Sequence, residues 1–253
     1  AMVPVGGNTG LAGGTKAQDA VMISLDRMNI IREIKPNAKV AIVESGAILE
    51  KIHEAVDEHD LVFPLLFGAR GSAMIGGNLS TNAGGSNVLR YGNTRDLCLG
   101  IEVVLADGRV MNLMSELRKD NTGLNLKNIF IGAEGTLGII TATVLRLHPK
   151  PLAYVTAMVG LKDLTESLSL LNRLQNETGG SVEAFEFMPR RYIERHLEKK
   201  EGSSEPFSEP HDINILLEVA TTRASDLEQD DDGTPKLRSI VETALMDMIE
   251  DGS

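Results

Sequence analysis

Between Gly68 and Asp96 the chain reads GARGSAMIGGNLSTNAGGSNVLRYGNTRD, with no charged residue between Arg70 and Arg90. Gly68, Gly71, Gly76, Gly77, Gly84 and Gly85 are interspersed with Ser72, Asn78, Ser80, Thr81, Asn82 and Ser86. Where side chains are missing, main chain can approach a flat or phosphorylated ligand, and glycine also reaches positive φ. The hydroxyls and amides supply uncharged donors and acceptors. A flexible linker shares these small residues but lacks apolar anchors, which Met74, Ile75, Leu79 and Val88 provide here. The stretch therefore reads as a binding surface.

Two further stretches have the same character. GGNTGLAGG, from Gly6 to Gly14, holds five glycines in nine residues. In α/β proteins such a loop follows a strand and offers its backbone N–H groups to phosphate. Only five residues precede it, so the expected strand falls upstream of Ala1 and the chain reads as starting inside a domain. Gly132, Gly135 and Gly138 mark a third close approach of backbone, ahead of a β-branched run. Gly14-Thr15-Lys16 does not complete the GK[ST] of a P-loop, and no GxGxxG follows a strand. The common nucleotide-binding loops are thereby excluded.

The other residues with chemical potential are sparse. His53 and His59 fall on a predicted helix and read as solvent-facing, since no cysteine or paired carboxylate accompanies them at metal-ligand spacing. His196 and His211 read as surface residues for the same reason. No metal site and no catalytic residue is assigned. Cys98, the one cysteine, excludes an internal disulfide and reads as a small buried residue on a strand. It suits a reducing compartment, and a cytoplasmic location is the expectation.

The elements that must position these stretches follow from hydrophobic period and turn chemistry. Val21–Leu25, Ile30–Ile34 and Val40–Val43 are predicted strands, and Gly46 opens a helix to about His59 with Ile48, Leu49, Ile52 and Val56 on one face. Leu61 to Phe67 is an apolar strand or loop. Leu97–Leu105 and Arg109–Leu113 form a hairpin around Asp107-Gly108. Leu124–Phe130 suits a short helix and Ile139–Leu147 a strand, with Pro149 and Pro151 closing the unit. Beyond lie a strand Val155–Val159, a helix capped by Asp163 and ended by Gly179-Gly180, a strand Val182–Met188 and a helix Arg190–Lys199. A loop from Glu201 to His211, a strand Ile213–Val219, an acidic loop Ser225–Pro235 and a helix Leu237–Ile249 complete the order. That order is a split α+β sandwich.

Charge separates the two parts. Residues 1–150 carry 15 basic and 15 acidic side chains, and the remainder carry 10 and 21, which accounts for the net charge of −11. The first part does not repel an anion, and the second gives nucleic acid no basic footprint. No apolar run reaches the length of a membrane span.

The three blocks VPVGGNTGLAGG, GSAMIGGNLSTNAGG…RYGNTRD…GIEVVLADG and KDNTG…IFIGAEGTLGIIT together resemble the FAD-binding domain of vanillyl-alcohol-oxidase-type (PCMH-type) flavoproteins. Within these, the chain is similar to the D-2-hydroxyacid dehydrogenases: the D-2-hydroxyglutarate and D-lactate dehydrogenases and the glycolate oxidase flavin subunit. The likeness covers nearly all of residues 3–150, and EAFEFM (Glu183 to Met188) carries it further. The implied fold class is α+β: the second subdomain of a PCMH-type FAD-binding domain, residues 1–150, followed by part of a ferredoxin-like α+β cap domain, residues 151–253.

By this resemblance, non-covalent FAD is the cofactor. The backbone of Val5, Gly6, Gly7, Asn8, Thr9, Gly10 and Leu11 would hold its pyrophosphate. Ser72, Gly76, Gly77, Asn78, Thr81, Asn82, Gly84 and Gly85 would line the ribityl chain and flavin, with Tyr91 and Gly92 following. Glu134, Gly135, Gly138, Ile139 and Ile140 would run along the cofactor, the last two near the adenine. Asn8 stands where some relatives attach FAD through histidine. The reaction implied is hydride loss from a small 2-hydroxy acid to flavin, with a base taking the hydroxyl proton. The histidine-rich GHxGDGNxH-like and EHG blocks of the family are absent before Asp251-Gly252-Ser253, so the chain is expected to be an incomplete portion, silent by itself and binding FAD weakly or not at all. The electron acceptor and oligomeric state, a homodimer included, stay open. A non-catalytic phosphate-binding module, or another FAD enzyme such as a cell-wall-precursor reductase or an ether-lipid synthase, are the alternatives.

Overall fold

The computed structural model describes residues 1–250, and Asp251, Gly252 and Ser253 lie outside them. The chain divides into two compact units, residues 1–87 with 91–150, and residues 88–90 with those from 151 onward.

The first unit opens with β1 (Met2–Val5), which pairs in parallel with β2 (Val21–Ser24). This corrects the expectation that no strand in the chain precedes the glycine loop. Met2-Val3-Pro4-Val5 is short, but its partner Val21–Ser24 supplies the pairing that a four-residue strand needs. β3 (Ile31–Lys35) and β4 (Val40–Glu44) follow, then α1 (Leu49–Asp57) and the two-residue β5 (Leu61–Val62). The helix starts three residues later than the apolar spacing indicates. Gly46 is held in a turn, its N–H donating to the Met28 carbonyl, and a Cβ there would lie 2.1 Å from the Leu25 carbonyl oxygen.

Two short helices, α2 (Ile75–Ser80) and α3 (Val88–Tyr91), interrupt the glycine-rich stretch. The predicted hairpin forms as β6 (Cys98–Val104) and β7 (Val110–Leu113), followed by α4 (Lys127–Phe130), β8 (Ile139–Arg146) and β9 (His148–Pro149), which pairs with β5. The main sheet is antiparallel in the order β3-β4-β8-β6-β7. β8 is central, so six of its eight residues are buried. Its hydroxyls are satisfied inside the sheet: Thr143 donates to the Gly100 carbonyl and Thr141 to Glu102 Oε1. Leu49, Ile52 and Val56 of α1 and Ile75 and Leu79 of α2 join Val43, Ile101, Val103 and Leu145 in one core. Cys98 is buried there as a free thiol, and burial raises its pKa, so it is not a thiolate nucleophile.

The second unit runs β10 (Ala153–Leu161), α5 (Leu164–Glu177), β11 (Val182–Pro189), α6 (Arg190–Lys199), β12 (Ile213–Thr221) and α7 (Lys236–Glu250). β12 lies between β10 and β11 and is antiparallel to both. That is a split β-α-β arrangement. α5 begins with a full capping box, Asp163 accepting from Thr165 and Glu166 N–H while Glu166 reaches back. A bulge at Glu183 resets the alternation of β11, so that Val182 and Phe185, three residues apart, both face the core opposite Val219 and Leu217. The acidic loop after β12 is more ordered than expected. Ala224–Leu227 form a 3₁₀ turn, with Asp226 buried against Thr221 and Arg223.

His53 also departs from its reading. It is half-buried, its ring centroid 6.4 Å from that of Phe63, and the Nε2 atom is buried. Burial first, and the charge of Arg70 second, hold its pKa below the ordinary imidazole value. The unfolded chain takes up this proton near pH ~6.5, whereas the folded chain resists it. Stability is therefore expected to fall as pH drops below that point toward the lower folded pKa. Urea unfolding at a series of pH values should show a shallower acid decline in a His53→Gln variant than in the parent chain.

Candidate functional site

A cleft of about 440 Å³ in the first unit is lined by three segments distant in sequence. Val5 to Leu11 form one wall, Gly76, Gly77, Asn78, Thr81 and Gly84 a second, and Glu134 closes the third side. The chain brings these together by pairing β1 with β2, by setting α2 against the turn at Ser45, and by tying Glu134 N–H to the Ser80 carbonyl at 2.8 Å. Glu134 holds φ at +52° and Asn8 at +51°. Both are left-handed conformations that expose backbone rather than continue a strand.

The loop wall is built from unused donors. Among the described residues, none of the N–H groups from Gly6 to Gly14 donates a hydrogen bond. A row of such amides beside a cleft is a nest for an anion, and it needs no positive side chain. The lining includes no lysine or arginine and one carboxylate, that of Glu134. Asn78 is buried, and its Oδ1 is an acceptor with no partner among the described residues, so it is placed to receive a ligand O–H or N–H.

The glycines fall into two groups by what an added Cβ would meet. Gly76 is pressed on Ser45, with a Cβ separation of 2.6 Å, and Gly7 on the Ser72 carbonyl oxygen at 1.8 Å. Gly77 and Gly10 meet nothing within 4 Å. Packing therefore explains Gly7 and Gly76, while Gly77, exposed and inside a helix, owes its bareness to nothing in the chain itself.

Nine residues expected at the site lie outside the cleft lining. The Ser72 carbonyl sits beneath Gly7. Asn82, at φ +47°, accepts the Arg95 N–H through Oδ1. Gly85 packs on the Leu66 backbone, Gly92 on Asp96, Gly135 on Pro4 and Gly138 on Val103. Tyr91 stacks edge-on against His148 with centroids 4.7 Å apart. Ile139 and Ile140 belong to β8 and pair with Val104 and Val103. Lining residues not assigned to the cofactor from the sequence are Leu25, Phe67 and Thr15, together with Met74 and Ser80 of the stretch read as a binding surface. The apolar three among them give no local sign of facing a cleft rather than a core. Thr15, whose hydroxyl bonds Asn8 Oδ1, had a signal in its place beside the glycine loop.

Residues 1–114 match a family model described as an FAD binding domain. D-2-hydroxyglutarate dehydrogenase, mitochondrial, from Bos taurus is 45% identical over 224 residues, which is 87% of this chain and 40% of the relative. The protein of the same name from Danio rerio is 38% identical over 259 residues, all of this chain and 46% of the relative. The chain thus spans less than half the length of these relatives. Among solved structures, an alkyldihydroxyacetonephosphate synthase superposes with a TM-score of 0.73 at 17% identity, over all of this chain and 46% of the other. At that identity the likeness speaks for the α+β fold alone. The mitochondrial names overturn the expected cytoplasmic location. A single cysteine excludes an internal disulfide, and that fact does not distinguish one reducing compartment from another.

Proposed function

We propose, from the match of residues 1–114 to an FAD binding domain model, that the chain is the cofactor-holding portion of an FAD-dependent dehydrogenase that oxidises a D-2-hydroxy acid. D-2-hydroxyglutarate is the first substrate candidate, with D-lactate and glycolate next. The observation that carries this reading is the run of unengaged amides from Gly6 to Gly14, opposite Gly77 and the orphaned Asn78 Oδ1. A cofactor with a pyrophosphate, a polyol chain and a flat ring matches these three features in turn.

When bound, FAD supplies the two-electron acceptor for the hydride that leaves carbon 2 of the hydroxy acid. The chain's own part is to bind and orient. The amides from Gly6 to Leu11 would hold the pyrophosphate, Asn78 would accept from a hydroxyl of the polyol, and bare Gly77 would admit the ring system. Tyr91 and the other residues behind the cleft would fix the geometry of these walls. The base that takes the hydroxyl proton is assigned to none of residues 1–250.

Gly77 provides the test. Alanine there should stabilise the exposed helix by about 0.5–1 kcal/mol while setting a methyl group in the cleft. In a titration followed by flavin fluorescence, the parent chain should bind FAD saturably, and Gly77→Ala should bind more weakly despite a higher melting temperature. Adding D-2-hydroxyglutarate anaerobically to the FAD-loaded chain should leave the flavin band unbleached. A parent chain that ignores FAD would overturn the reading, and bleaching would overturn the placement of the base.

A further inference from the structure

A second cavity in the first unit, about 540 Å³ in volume, shares no lining residue with the first. It is bounded by the start of β6, the end of β8 and the loop between β7 and α4. Four cations line it, Arg95, Arg118, Lys127 and Arg146, against two carboxylates, Asp96 and Asp120. Both carboxylates are engaged locally. Asp96 accepts the Asn93 N–H, and Asp120 accepts the N–H and hydroxyl of Thr122. Among the described residues, neither forms an ion pair with the arginines.

The arginines are left incompletely satisfied. Arg95 donates through its Nη atoms to the carbonyls of Asn128 and Ile131, but its Nε is buried without an acceptor. Arg146 closes the central strand, and its Nε is likewise buried without an acceptor. The whole Arg146 guanidinium lacks a hydrogen-bond or ion-pair partner among the described residues. A half-buried permanent cation is costly when no acceptor faces it. Two such groups on one polar cavity of ligand size argue for an acceptor that comes from outside the chain. Guanidinium forks match the paired oxygens of carboxylate and phosphate.

We propose that this cavity is a binding site for the oxyanion group, carboxylate or phosphate, of a small molecule, with Arg146 as the principal ligand and Arg95 Nε as a second donor. The site is independent of FAD. It is tested by isothermal titration calorimetry on the chain at fixed ionic strength, with inorganic phosphate in one arm and succinate in the other, since free salt screens any exposed cation. Saturable binding of at least one anion is expected, weakened about tenfold or more in Arg146→Gln, as loss of a charged hydrogen bond requires. FAD affinity should be unchanged in that variant, which reports an intact fold. Should Arg146→Gln fail to fold, Arg118→Gln, a change at an exposed lining residue, is expected to weaken the same binding severalfold. No saturable heat with either anion, or equal binding by parent and folded variant, overturns the proposal.

Discussion

A Gly7→Ala chain is expected to lose FAD affinity by roughly a hundredfold or more, the equivalent of about 3 kcal/mol of misfit. The added Cβ would stand 1.8 Å from the Ser72 carbonyl oxygen, 2.7 Å from its carbon and 3.1 Å from Ala73 Cα. All three are main-chain atoms, so no side-chain rotation relieves the overlap. Ser72 is itself fixed, its N–H bonded to the Ala69 carbonyl just ahead of α2. The loop from Gly6 to Leu11 must therefore lift from the cleft wall and carry its amides out of register with any phosphate. Gly10→Ala is the control, because a Cβ there meets nothing within 4 Å. Fluorescence titration of FAD into both variants reads the difference. Equal affinities would show that the loop wall does not hold the cofactor.

Glu183→Ala should destabilise the second unit by about 3 kcal/mol. Glu183 falls at the bulge in β11, where the register with β12 shifts, and it is 2% exposed. Its Oε1 accepts from Arg90 Nη1 at 2.9 Å, and the same nitrogen donates to the Ala220 carbonyl at 2.8 Å. Removing the carboxylate takes this counter-charge from a guanidinium whose side chain is only 17% exposed. The double variant Arg90→Met/Glu183→Leu should recover most of the loss, since an apolar pair of similar volume needs no compensating charge. Urea denaturation followed by circular dichroism measures both. If the single and double variants prove equally unstable, the damage lies in packing and not in the ion pair.

Glu183 shows how far sequence reading reached. As part of EAFEFM it marked a family likeness, yet nothing near it signalled burial or a partner 93 positions away. Asp163 is the opposite case. Its cap acts on residues two and three positions on, so the spacing to Glu166 sufficed to place the start of α5. The Asp107-Gly108 hairpin was legible for the same reason, and β7 pairs with β6 as the turn requires. His53 was misread because the apolar period of α1 describes one face of one helix, while Phe63 and the chain after β5 arrive from outside it.

What the residues alone determined was local in cause: strands and helices from hydrophobic period, turns from glycine and aspartate, and three places where the backbone is bare. Bareness is a property of composition, so it is visible without coordinates. Only the tertiary structure decided what each bare position faces. Gly76 and Gly85 make room for Ser45 and Leu66, Gly138 makes room for Val103, and Gly77 opens onto the cleft. The neighbours that distinguish these cases arrive through strand pairing and core packing between distant segments, and no window along the chain contains both partners.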